Sequence, residues 1–366
     1  MKLAVVAGEA SGDLHAAEVV RELKALDPEL VTFGIGGDLL AAEGVELLHH
    51  AREMGIVGLF NVLRHLPMFR RIFRELVERI ERERPDAVLL VDYPEFNLRI
   101  ARACKKLGVP VAYYISPQLW AWRRGRVHQI AKTVDKMIVI FPFEQEFYRA
   151  HGVDAVYVGH PLVEELQHIG RVKVMTDALR IALLPGSRRG EVESLLPPML
   201  DAVSRLRAEG MSVEAFIVRA PTISGEQLGR LIGRHEVTIV DHDGGEVVAS
   251  VDVALSSSGT ATLECAVLGT PVIVMYRLTP ATHWLAQRLV KLPHFSLVNI
   301  VAGKMVVPEL LQHEVNATRI AAEVRKLARP DEHARVTREL AAVKSKLGDA
   351  GAARRAANEI VRLLRR

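Results

Sequence analysis

Cysteine is scarce in this chain, with two among 366 residues. Cys104 and Cys265 each sit in an apolar helical pattern, and neither has a second Cys or His at ligand spacing. That argues against a disulfide framework and against a zinc site, and it fits a reducing compartment. Aromatic residues are only 5% of the chain and form no exposed runs interleaved with basic ones. A stacking platform for single-stranded nucleic acid is therefore not expected. No stretch reaches the ~18 uninterrupted apolar residues that read as a membrane span. Residues Met1–Ala7 are too short for a signal peptide and run straight into a glycine turn, so a cytoplasmic location is expected. A dominant charge sign is missing as well, since 48 Lys+Arg face 44 Asp+Glu. The mild basic excess is too small to argue for nucleic acid, but it suits a phosphate-bearing partner, either a nucleotide or an anionic bilayer. Neither GxGxxG nor a P-loop occurs, and there is no internal repeat or low-complexity segment.

What remains is an ordinary globular composition, 49% hydrophobic and 25% charged, at a length that suits two domains. Short apolar runs at Leu3–Ala7, Val31–Ile35, Ala87–Val91, Val111–Ile115 and Met137–Phe141 alternate with amphipathic helical stretches. Strands apolar on both faces imply a parallel sheet covered by helices. The alternation pauses near His160–Asp177 and restarts at Ile181–Leu184, Ala215–Val218, Val237–Val240, Val253–Leu255 and Val272–Met275. The spacing predicts two Rossmann-like, doubly wound α/β domains facing a cleft, with helices at the C-terminus. The expected divisions are residues 1–165, a linker at 166–178, a second domain at 179–345, and a helix at 346–366 that could pack back on the first domain.

In open parallel sheets ligands bind beyond the carboxyl ends of the strands, so the turns there are the candidate sites. Gly8-Glu9-Ala10-Ser11-Gly12-Asp13 follows the first strand and offers close backbone approach and free helix amides; the alternative is a tight turn with Asp13 capping its own helix. Asp92-Tyr93-Pro94-Glu95-Phe96-Asn97 places a carboxylate at a strand end, either as a general base or as a helix cap. Pro185-Gly186-Ser187-Arg188-Arg189 sets two arginines at a glycine turn, where their forks match phosphate oxygens. Positive charge at a helix start opposes the helix dipole, which favours the phosphate reading over a merely solvated pair. Ser258-Gly259-Thr260-Ala261-Thr262-Leu263-Glu264 opens a helix whose amides could cradle a diphosphate, with Glu264 one turn in and able to accept from ribose hydroxyls; a Ser/Thr-capped core helix is the alternative. The segment Met54–Glu75 mixes large apolar groups with Arg64, Arg70, Arg71 and Arg74. It reads equally as an interfacial helix in a headgroup layer, with Phe60, Leu63, Leu66, Met68, Phe69, Arg70, Arg71 and Phe73 facing the membrane, or as a core-packed helix with a solvated basic face.

Taken together these pieces resemble the lipid-A-disaccharide synthase family over nearly the whole chain. The most specific are the Gly8–Asp13 turn and Ile115-Ser116-Pro117-Gln118-Leu119-Trp120-Ala121-Trp122. They are joined by Gly34-Ile35-Gly36-Gly37, Met54-Gly55-Ile56, the Asp92–Asn97 turn, Val158-Gly159-His160-Pro161, Leu184–Arg188, Ser258–Glu264 and Pro308-Glu309-Leu310-Leu311-Gln312. The resemblance implies a GT-B glycosyltransferase of the inverting type, with no metal and no cofactor. It would move 2,3-diacylglucosamine from UDP-2,3-diacylglucosamine to 2,3-diacylglucosamine 1-phosphate, giving a β(1→6) disaccharide 1-phosphate and UDP. It places the general base at Asp92 and the acceptor side at Glu9, Ser11 and Gly12. The donor would be held by Ser187, Arg188, Arg189, Ser258, Gly259, Thr260, Ala261, Thr262, Glu264, Asn299 and Gln312. It further implies a peripheral position on the inner face of the inner membrane, no nucleic-acid partner, and a homodimer option in which C-terminal parts are exchanged. The chain departs from the family at Gly58, where Glu is common, at Tyr93-Pro94-Glu95, where Ala-Pro-Asp is frequent, and at Val298, where Pro is frequent. Two other readings stay open on the residues alone: a non-hydrolysing UDP-sugar 2-epimerase on the same scaffold, and a UDP-sugar-binding protein without turnover.

Overall fold

A computed structural model describes residues 1–54, 59–121, 124–172, 174–241, 244–279 and 293–365, with the backbone alone at 59–65 and 124. The chain divides into two units, Met1–Pro161 with Asp349–Arg366, and Leu162–Gly348.

The first unit runs β1 (Lys2–Ala7), α1 (Ala10–Leu26), β2 (Val31–Gly36), α2 (Asp38–Ala42), β3 (Glu46–His50), α3 (Ala51–Met54), α4 (Leu59–Glu83), β4 (Ala87–Val91), α5 (Pro94–Leu107), β5 (Val111–Tyr114), α6 (Val127–Thr133), β6 (Lys136–Val139), α7 (Pro142–Arg149) and β7 (Ala155–Tyr157). Its seven strands lie in the order β3-β2-β1-β4-β5-β6-β7, all pairs parallel. β4 is buried along its whole length, as is β1 beyond Lys2, so both faces of the central strands are covered and both must be apolar. α5 starts on Pro94 and ends on Gly108 in the left-handed conformation, a start and a stop that the residue types dictate.

The second unit runs α8 (Leu162–Glu165), β8 (Leu179–Leu184), α9 (Arg189–Ala208), β9 (Val213–Val218), α10 (Gly225–Ile232), β10 (Thr238–Val240), α11 (Gly244–Ser250), β11 (Val253–Ser257), α12 (Thr260–Leu268), β12 (Val272–Tyr276), α13 (Leu297–Ala302), β13 (Glu309–Leu311), α14 (Ala317–Leu327) and α15 (Pro330–Lys346). Its six strands are ordered β10-β9-β8-β11-β12-β13 and again pair in parallel. The last helix, α16 (Ala352–Leu364), belongs to the first unit and packs on α1, β5 and β6.

Each sheet reverses its winding once, between β1 and β4 in the first and between β8 and β11 in the second. Crevices at such switch points are where doubly wound sheets bind ligands. The four turns that leave these strands at their carboxyl ends are the Gly8, Asp92, Gly186 and Ser258 turns.

Candidate functional site

In the first unit the turns after β1 and β4 touch. A Cβ built on Gly8 would fall 2.5 Å from the Tyr93 ring, so only glycine allows this approach. Asp92 and Tyr93 both have φ of 47°. Two successive non-glycine residues in the left-handed region cost about 1–2 kcal/mol each, and such strain persists only where the surroundings over-determine it. Here the fully buried Asn97 donates from Nδ2 to the carbonyls of Val91 (3.1 Å) and Asp92 (2.7 Å). The Tyr113 hydroxyl donates to the Asp92 carbonyl at 2.6 Å, and the Asp92 N–H donates to the Tyr114 carbonyl at 3.1 Å. The strained backbone thus fixes Asp92 at the strand end. Burial, then the neighbouring Glu9 charge, raise its pKa, while the Tyr93 amide and His15 oppose them. A carboxylate moved upward in this way is a better proton acceptor.

Glu9 and Ser11 are exposed at the start of α1, and Gly12 is buried. Glu9 is the N-cap residue but provides no side-chain cap, leaving the first-turn amides free for a ligand. Asp13 does not cap its own helix, as the turn alone suggests. Its carboxylate accepts from the amides of Gly37 (2.6 Å), Leu39 (3.0 Å) and Leu40 (3.2 Å), tying the β1 turn to the start of α2. Gly37 is glycine because a Cβ there would lie 2.5 Å from Asp13 Oδ2. His160, buried against Phe141, is pushed down to about 4 by desolvation.

In the second unit the turns after β8 and β11 also meet. A Cβ on Gly186, whose φ is 112°, would lie 2.6 Å from Glu191 Oε2 and 3.2 Å from Ser257 Oγ. Ser187 is exposed, and its carbonyl accepts from Thr222 at 2.6 Å. The Arg188 and Arg189 side chains are 81% and 77% exposed and lie in pairs with Glu191 and Glu193, each at 2.7 Å. Exposed pairs of this kind are worth at most about 1 kcal/mol, so a diphosphate can displace them. α12 has Gly259 at its N-cap with no side-chain cap, and beyond its chain neighbours no described residue comes within 4 Å of a Cβ there. The Thr262 amide and Oγ1 both donate back to the Gly259 carbonyl, at 3.1 and 2.8 Å, so among its first amides those of Thr260 and Ala261 are the ones without a described partner. Ser258 is fixed by its N–H to the Met275 carbonyl (3.0 Å) and its hydroxyl to the Phe295 carbonyl (3.3 Å). Glu264 is half-buried, and its pKa is raised by desolvation and then by Glu165.

A model of the lipid-A-disaccharide synthetase family matches residues 3–361. The chain belongs to the lipid-A-disaccharide synthase family. The lipid-A-disaccharide synthase of Myxococcus xanthus is 45% identical over 99% of this chain and 97% of its own length. That of Geobacter sulfurreducens is 40% identical over 99% and 97%. Among solved structures, an S. aureus MnaA–UDP complex aligns with a TM-score of 0.67 at 15% identity, covering 100% of this chain and 97% of that one. A calicheamicin glycosyltransferase aligns with a TM-score of 0.63 at 16% identity, covering 100% and 98%. These two speak for the GT-B fold alone. Family membership makes the chain a glycosyltransferase that forms the lipid A disaccharide.

Several residues that the synthase family resemblance points to are engaged internally. Asn299 donates from Nδ2 to the Val307 carbonyl (2.9 Å) and Glu309 (2.8 Å), and its Oδ1 accepts from the amides of Val306 (2.7 Å) and Val307 (3.1 Å). Gln312 exchanges two hydrogen bonds with the Leu278 backbone, at 2.7 and 3.0 Å. Contacting a donor directly would require Asn299 to give these up, whereas the Gln312 carboxamide keeps one N–H and one lone pair; as placed, both shape the loops around α13 and β13. In α4, Phe60 and Leu63 lie outside the described side chains. Leu66 is half-buried, and Met68, Phe69 and Phe73 pack against the core with Ile72, Leu76 and Ile80 fully buried. Spacing of three and four residues aims that stripe inward and leaves Arg70 and Arg71 exposed. No helix among the described residues is long and apolar enough to cross a membrane. The sequence also carries an Asp-x-Asp spacing, Asp241-His242-Asp243, against the expectation that the second-domain turns lack such a pair; carboxylates so spaced suit a hard cation. Asp241 is held by Arg219 at 2.6 Å beyond the edge strand β10, two strands from β8, and residues 242–243 lie outside the described ones.

Proposed function

We propose that this chain transfers 2,3-diacylglucosamine from UDP-2,3-diacylglucosamine to the 6-hydroxyl of 2,3-diacylglucosamine 1-phosphate, inverting the anomeric centre from α to β. Asp92 accepts the proton of the 6-hydroxyl as its oxygen attacks C1, and the bond from C1 to the diphosphate breaks to release UDP. Glu9, Ser11 and Gly12 line the acceptor side. Ser187, Arg188, Arg189 and the Ser258–Thr262 turn, through the amides of Thr260 and Ala261, take the diphosphate, whose charge grows as the bond breaks. Glu264 accepts from the ribose hydroxyls. The observation that carries this reading is that in each unit the residues in question leave the two strands flanking the switch point. Arg70 and Arg71 on α4, together with its N-terminal turns, meet the anionic inner leaflet where the acylated substrates reside.

Glu264 gives a direct test of the donor half. Its carboxylate makes no hydrogen bond with another described residue, so its loss leaves no partner orphaned. Glu264→Ala is expected to weaken UDP binding about 10- to 100-fold by calorimetry, as for hydrogen bonds to a charged group, with an unchanged melting temperature. Unchanged UDP affinity would remove the ribose assignment. The product's anomeric proton coupling, read by NMR, distinguishes β from α and so tests inversion.

A further inference from the structure

The run Ser116–Trp120, among the most specific stretches of the sequence, has no part in the chemistry above. It forms the loop leaving β5, the strand paired with β4, so it departs from the same sheet edge as Asp92. Four residues of chain span at most about 14 Å, which keeps Gln118 within that distance of the end of β5.

The loop is clamped from beneath by α7. Glu144, only 1% exposed, accepts on Oε1 from the Ser116 hydroxyl (2.7 Å) and the Trp120 indole N–H (3.0 Å). Its Oε2 accepts from the Phe141 amide at 3.2 Å, and Tyr148 donates its hydroxyl to the Pro117 carbonyl at 3.3 Å. Trp120 stands edge-on to Phe143 at 4.9 Å, and Phe143 stacks on Phe141 at 5.5 Å. Burying a carboxylate is unfavourable, and desolvation pushes this one up to about 7 against the donors around it. A loop that needed only to be packed would be served by an apolar residue. The result of this anchoring is specific: Ser116, Pro117, Leu119 and Trp120 all point inward, and Gln118 alone of the five is exposed. Its carboxamide makes no hydrogen bond with another described residue. It offers two N–H donors and a carbonyl acceptor, a match for an amide or hydroxyl of an N-acylated sugar.

We propose that Gln118 recognises the acceptor sugar and that Glu144 is the positioning residue that holds the 116–120 loop to present it. This rests on the reading of the first unit as the acceptor side.

The test is steady-state kinetics of the full chain in mixed micelles, with donor and acceptor varied separately. Gln118→Ala is expected to raise the acceptor KM about 3- to 10-fold, the range for one lost hydrogen bond, with donor KM and kcat unchanged. Glu144→Leu should raise the acceptor KM at least as much. Glu144→Gln should recover most of that loss, because its amide oxygen still accepts from Ser116 and Trp120. Adding Gln118→Ala to Glu144→Leu should change little further, because the two act as one unit. Should Glu144→Leu fail to fold, Trp120→Phe removes a single donor to Glu144 and gives the same direction at smaller size. An acceptor KM untouched by Gln118→Ala, or a donor KM raised equally, overturns the inference while normal wild-type turnover leaves the transferase reading standing. A wild-type chain that forms no disaccharide overturns both.

Discussion

Asp92→Asn is expected to lower kcat about 100- to 10,000-fold, the contribution of a positioned general base, and to leave UDP affinity unchanged. The substitution is nearly isosteric: the bonds to Asn97, Tyr113 and Tyr114 that hold this turn run through the Asp92 backbone, and the amide oxygen of the substituted side chain can still accept from the Tyr93 amide. Melting temperature should therefore hardly change, and the loss would report on proton transfer. The pH profile carries the same information. A base works only when ionised, and burial together with Glu9 raises the Asp92 pKa. The acidic limb of kcat/KM should then fall above the ordinary carboxylate range of about 4. Glu9→Gln removes the like charge, so it should move that limb to lower pH while turnover persists. If Asp92→Asn kept its turnover and Glu9→Gln lost it, the base would be Glu9.

Asn97→Ala carries the second large effect, on stability and rate together. The Val91 carbonyl would lose its side-chain donor, and the Asp92 carbonyl would keep only Tyr113. A buried polar group left without its partner costs about 1–3 kcal/mol, and here it adds to two left-handed residues that Asn97 helps to hold. An overall loss of about 2–4 kcal/mol should lower the melting temperature about 5–15 °C. Because a misplacement of about 1 Å can cost a hundredfold, kcat should fall about tenfold or more even in the folded fraction. UDP affinity, which the proposed function assigns to the other unit, should be unaffected. A variant that melted at the wild-type temperature with normal kcat would show that the strained turn holds itself.

The central strands were legible because a parallel strand buried on both faces is an unbroken apolar run, as at Leu3–Ala7 and Ala87–Val91. The edge strands β3, β7 and β13 were not. Glu46, His49 and His50 interrupt β3, and the other two are three residues long, so neither periodicity nor composition marks them. The apolar run Met137–Phe141 extends two residues past β6, because Ile140 and Phe141 are buried after the strand has ended. Motif reasoning located all four switch-point turns, since strand ends followed by glycine and small or charged residues stand out. It could not see that positive φ falls on Asp92 and Tyr93, residue types that rarely adopt it, nor that Asn97 is what makes this tolerable. The inward aim of Phe69 and Phe73, the capping of α2 by Asp13, and the internal bonding of Asn299 and Gln312 all depend on partners from other elements. A spacing rule within one element has no access to these.

The most direct test of the account is UDP release from UDP-2,3-diacylglucosamine in mixed micelles, with and without 2,3-diacylglucosamine 1-phosphate. The account predicts release that depends on the acceptor and matches, mole for mole, a β(1→6) disaccharide 1-phosphate. Release without acceptor, epimerised donor, or no turnover with both substrates present would contradict it.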